Sequence, residues 1–191
     1  MDRFMARSFE TLDFRDPRSF LVELREFELQ VAQTQTPTKI RTLRTNSLKE
    51  WRELREAAMF CYLMGQRVGQ TIYVGPGERQ DYDFVAMRED DGVRSYTPVQ
   101  LKEVVPKHVN PAATLEQVVA SLVKYGDSRD LLVVIHLNQQ LRFDASDICF
   151  PKLPISGLWM FGAISPDQNR WGLWGDFLET PTGTEHQYPD A

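Results

Sequence analysis

The chain has 191 residues, of which 42% are hydrophobic and 26% charged, with a net charge of −5; this is the composition of one ordinary globular domain. The acidic balance argues against indiscriminate polyanion binding, and neither an apolar run of the ~18 residues a membrane span needs nor a secretory pattern is found, so a cytoplasmic protein without a membrane partner is expected. Cys61 and Cys149 lie in apolar runs and read as free buried thiols, while His108, His136 and His186 lack zinc-ligand spacing and no Walker, GxGxxG or GxSxG motif is present.

Asp16-Pro17 predicts a helix start, followed by Phe20, Leu24, Phe27 and Val31 at helical spacing. Residues 38–55 then carry six basic residues, Lys39, Arg41, Arg44, Lys49, Arg52 and Arg55, against Glu50 and Glu53. Such a strip suits a groove for a polyanion or a solvated helix face. Ser47 and Glu50 have capping-box spacing for a second helix over 47–64, ending before Gly65. Its early stripe is Trp51, Leu54, Ala58 and Cys61, and from Ala57 it is apolar nearly all round, as in a helix buried between layers.

Strands are expected at 71–74, 82–87 and 96–104, with turns at GPGE and EDDG. Thr114 caps a third helix over 114–125, closed by Gly126, with Leu115, Val118, Val119 and Leu122 inward. The run LLVVIHL (131–137) reads as a central strand buried on both faces. GLWMFGAI and RWGLWGDFL flank the turn SPDQN and predict a further hairpin holding Trp159, Trp171 and Trp174. The residues from Thr180 read as a loose polar tail. The expectation is a single α/β (α+β) domain with a helical extension (1–46), a core ordered helix, three strands, helix, strand on a mixed sheet (47–140), a hairpin addition (141–180) and a tail (181–191).

The hairpin of the core carries unusual polar content. Asp83 enters its first strand, and Gln100 and Lys102 lie two apart, on one face of its second. Each alone fits a water-facing strand position. Together they fit metal-assisted phosphodiester hydrolysis, in which oxygen ligands hold magnesium, the metal polarises the phosphate, and a lysine positions water or neutralises developing charge.

Asp83-Phe84-Val85 followed after a turn by Val99-Gln100-Leu101-Lys102 resembles the PD-(D/E)XK nuclease superfamily, in the QxK variant of the Mrr-type restriction endonucleases. The resemblance implies a restriction-endonuclease-like core and catalytic roles for Asp83, Gln100 and Lys102. It also implies a magnesium (or manganese) ion held by Asp83, Gln100 and a glutamate of the upstream helix, Glu56 with Glu53 as rival. Gln117 and Lys124 of the third helix would assist. The function expected is a DNA endonuclease, with Lys39, Arg41, Arg44, Lys49 and Arg52 gripping phosphates. The alternative is a non-catalytic scaffold that keeps the fold, and Gln100 in place of a carboxylate speaks for it. A homodimer through the N-terminal helix or the Trp hairpin is a further expectation.

Overall fold

The computed structural model describes residues 8–34, 37, 48–79, 82–125, 128–148 and 150–190. Asp16 caps α1 (Pro17–Ala32) by accepting the backbone N–H groups of Arg18 at 2.8 Å and Ser19 at 3.1 Å, and Pro17 opens the first turn. Phe20, Leu21 and Leu24 form its buried stripe, whereas Phe27, expected to continue it, is exposed. The helix buries apolar side chains in its first half only.

Helix α2 (Lys49–Val68) is buried on all sides from Glu56 to Cys61, because it lies between α1 and the sheet. It runs through Gly65, the expected stop, and ends at Gly69, whose φ of 70° is the left-handed conformation that closes helices. Gly65 is needed for close approach instead: a Cβ there would meet the Gln70 carbonyl at 2.8 Å. Ser47 and its expected capping role lie outside the described residues. Trp51, expected in the buried stripe, is exposed.

One sheet holds seven strands in chain order: β1 (Ile72–Arg79), β2 (Tyr82–Asp90), β3 (Val93–Val104), β4 (Ser128–Leu137), β5 (Ile155–Ala163), β6 (Arg170–Gly175) and β7 (Thr182–Gln187). The β3–β4 and β4–β5 pairs are parallel and the others antiparallel. Asp91 and Gly92 join β2 to β3 with φ of 48° and 78°, the two-residue turn whose twist suits a hairpin. The crossover from β3 to β4 carries α3 (Leu115–Ser121), capped by Thr114, which tightens into a 3₁₀ turn over Leu122–Tyr125.

The sheet separates two cores. Helices α1 and α2 cover Phe84, Val99, Leu101, Val134, Phe161 and Leu173. Leu115 and Leu122 of the α3 segment cover Val85, Val104, Val133, Ile135 and Met160 on the other face. Val133, Val134 and Ile135 are fully buried, so β4 is the central strand its apolar run predicts.

Three further expectations need correction. The GPGE segment continues β1 rather than turning. The aromatic hairpin is no addition, because β5 lies parallel on β4 in continuous register from Leu132↔Gly157 to His136↔Phe161. The tail is ordered: β7 pairs with β6, and the buried Tyr188 hydroxyl donates to the Leu21 carbonyl at 2.8 Å. The tryptophans pack within the chain, Trp171 beside Phe161, Trp174 against Phe143 and Trp159 beneath Arg67, while α1 leaves Phe27 and Leu29 exposed. Among the described residues no helix is long and apolar enough to cross a membrane.

Candidate active site

Antiparallel pairing of Phe84 with Val99 sets Asp83 across from Gln100 at the next position. The Gln100 amide nitrogen donates to Asp83 Oδ2, and the Leu101 backbone N–H donates to the same oxygen at 2.7 Å. Lys102, two residues beyond Gln100, shares its face and is half-buried. The 3₁₀ turn after α3 brings Tyr125 over this corner, with Lys102 Nζ 5.7 Å and Lys124 Nζ 5.1 Å from its ring centroid.

The electrostatics tie these groups together. Burial lowers the Lys102 pKa from its ordinary value; the Asp83 carboxylate opposes that shift and the Lys124 ammonium reinforces it. Tyr125 is pushed up to about 12, first by burial and then by the Asp83 charge. Its hydroxyl is buried without a hydrogen-bond partner among the described residues. Asp83, Gln100, Lys102 and Lys124 are thus brought together, and Tyr125 joins them unforeseen. The only sequence signal for Tyr125 was its place beside Lys124. Gln117 is exposed one turn from the Thr114 cap, and the change to 3₁₀ geometry after Ser121 breaks the helical spacing that would align it with Lys124.

Glu56 stands elsewhere. Its Oε1 lies 3.4 Å from His136 Nδ1 and 4.0 Å from Arg52 Nε. His136 pairs in register with Glu103, which follows Lys102 and so faces the opposite side of the sheet. The ligand atoms of Glu56, Glu103 and His136 all lie within 4.8 Å of one another, so this triad can hold a metal ion. Glu53, the rival to Glu56, pairs with Lys49 at 3.3 Å. Neither Glu103 nor His136 is read from the sequence as a site residue, since Glu103 faces away from Lys102 and His136 lies in a core strand. As the one ionisable side chain in LLVVIHL, His136 was the available signal.

The basic strip is divided. Lys39, Arg41 and Arg44 lie outside the described residues. Lys49 is engaged with Glu53, Arg52 turns a buried Nε toward Glu56, and Arg55 contacts Glu28 at 2.9 Å. A cavity of about 690 Å³ opens past the C-terminal ends of β4 and β5, lined by Arg55, Lys107, His136, Asn138, Gln139 and Trp171. Of the triad His136 alone lines it, and it does not include Asp83, which is exposed at the surface.

No protein-family model matches the chain, and no curated protein or solved structure matches it either.

Proposed function

We propose that the chain is a metal-dependent endonuclease, hydrolysing phosphodiester bonds in DNA at Asp83, Gln100 and Lys102 on a restriction-endonuclease-like core. The observation that carries this reading is the meeting of Asp83 and Gln100 across β2 and β3, with Lys102 on the same face and within electrostatic reach of Asp83. The order of helix, three strands, helix, strand from α2 to β4 supports it. An exposed Asp83 also suits a polymer, which is cut while lying along a surface rather than enclosed in a pocket.

The donor set fits a hard cation. Both hydrogen bonds to Asp83 fall on Oδ2, leaving Oδ1 without a partner among the described residues, and the Gln100 amide can turn its carbonyl oxygen outward. With Glu56 on the other face, Asp83 and Gln100 would hold the magnesium (or manganese) ion largely through its waters. Bound there, the metal would polarise the phosphate and lower the pKa of its water.

The chain's own residues supply the rest. Lys102 and Lys124 present two ammonium groups where negative charge develops. The lowered pKa of Lys102 makes it a better proton donor to the leaving oxygen than a surface lysine. Lys39, Arg41 and Arg44 remain the proposed phosphate contacts, since Lys49 and Arg52 already face carboxylates.

Gln100→Glu tests the ligand set. It should tighten magnesium binding about tenfold or more, because an added carboxylate attracts the dication, even across a water, by roughly 2 kcal/mol, more than the ~1.4 kcal/mol that tenfold represents. Titration calorimetry of both proteins reads this, and equal affinities would remove Gln100 from the site. One observation favours a non-catalytic scaffold as second reading: the amide nitrogen of Gln100 faces Asp83, so the pair satisfies itself. That reading predicts no magnesium binding by either protein.

A further inference from the structure

We infer that Glu56, Glu103 and His136 form a second metal centre on the α2 face of the sheet, selective for a divalent transition ion such as zinc over magnesium. The side chains of Glu56 and His136 are 4% and 5% exposed. Among the described residues Glu56 Oε1 and His136 Nδ1 both lack a hydrogen bond although they lie 3.4 Å apart, because they are not aligned for one. Buried polar atoms are normally satisfied, and leaving a carboxylate oxygen and an imidazole nitrogen bare side by side is costly. A cation between them would satisfy both at once.

The surroundings are those of a ligand set. Glu103 completes the triad within 4.8 Å, and Asn138 Nδ2 donates to its Oε1 at 2.8 Å, which orients the carboxylate. Phe161 stacks on the His136 ring at 4.7 Å, which fixes the orientation of the imidazole. Small rotations of the two glutamates would close the triad to metal bonds of ~2.0–2.2 Å. An imidazole with two carboxylates suits zinc, manganese or iron, whereas magnesium prefers oxygen and keeps its waters.

Arg52 tunes the charge of the triad. Its Nε, 4.0 Å from Glu56 Oε1 and also without a hydrogen bond among the described residues, offsets part of the carboxylate charge and opposes the incoming cation. Three protein ligands leave a fourth position, and His136 lies on the wall of the 690 Å³ cavity. An exchangeable water or an anionic group can reach the metal from there.

The test is zinc titration of the full chain by calorimetry, with cobalt(II) absorption as the spectroscopic probe. One zinc per chain should bind to the wild type, and with unchanged affinity to Asp83→Asn, whose site lies across the sheet. Glu103→Gln and His136→Gln should each weaken binding at least about 100-fold and abolish the ligand-field bands of bound cobalt. Arg52→Gln should tighten binding. At 100 times its Kd, zinc should raise the wild-type Tm by roughly 5–10 °C, reversibly with chelator. Absence of zinc binding in the wild type, or binding that the Glu103 and His136 variants leave intact, overturns the proposal. Should those variants not fold, zinc affinity unchanged or weakened in Arg52→Gln overturns it equally. Because Asp83→Asn separates the two sites, failure here leaves the nuclease reading standing.

Discussion

Phe161→Ala is expected to destabilise the fold by about 3–5 kcal/mol, the usual cost of emptying a large buried aromatic site. Phe161 is fully buried, stacks on His136, and lies 6.1 Å from Phe60 and 6.2 Å from Trp171 between ring centroids. These neighbours come from β4, α2 and β6. Because hydrogen-bonded strands and a long helix hold them, the walls of the new cavity have little freedom to collapse. A domain of ordinary stability has about 5–15 kcal/mol in all, so the variant should lose roughly a fifth or more of it. Urea unfolding should show a lower midpoint at unchanged slope. A loss under about 1 kcal/mol would contradict the packing of α2 on the sheet described here.

Lys102→Ala should lower the rate of DNA cleavage by roughly 10²–10³-fold, the cost of removing one preorganised charge-stabilising group. Its side chain is half-buried and belongs to neither apolar cluster, so circular dichroism should be unchanged. Lys102→Arg should not restore full activity, since a guanidinium retains its proton. The pH profile gives the sign. A proton-donating Lys102 acts while protonated, and its lowered pKa means that activity is lost, as pH rises, below the ordinary lysine value of 10.5. An alkaline limb at or above 10.5, or full activity in Lys102→Ala, would remove the residue from the chemistry.

The mixed sheet with its helix, three strands, helix, strand order was legible because its segments carry strong local signals. Asp16-Pro17 caps α1, Asp91-Gly92 makes the hairpin, and the apolar run around Val134 buries both faces. β7 was not legible: TGTEHQ is polar on both faces and is held by backbone pairing with β6, which leaves no hydrophobic period to read. Side-chain direction explains the site in the same way. Period-two alternation foretold that Gln100 and Lys102 share a face, and the register of β2 on β3 puts Asp83 on it. Alternation could not tell on which side of the sheet α2 would pack, and that decides whether Glu56 meets Asp83 or His136. Glu56 meets His136 because α2 covers the face carrying Leu101 and Val134, the opposite one.

The central claim is tested most directly by incubating the purified chain and its Asp83→Asn variant with double-stranded DNA, single-stranded DNA and RNA, in magnesium or manganese. The account predicts metal-dependent cleavage of DNA by the wild type, stopped by chelator and lost in Asp83→Asn with its fold intact. Inertness of the wild type toward all of these substrates with either metal, or cleavage that Asp83→Asn leaves undiminished, would contradict it.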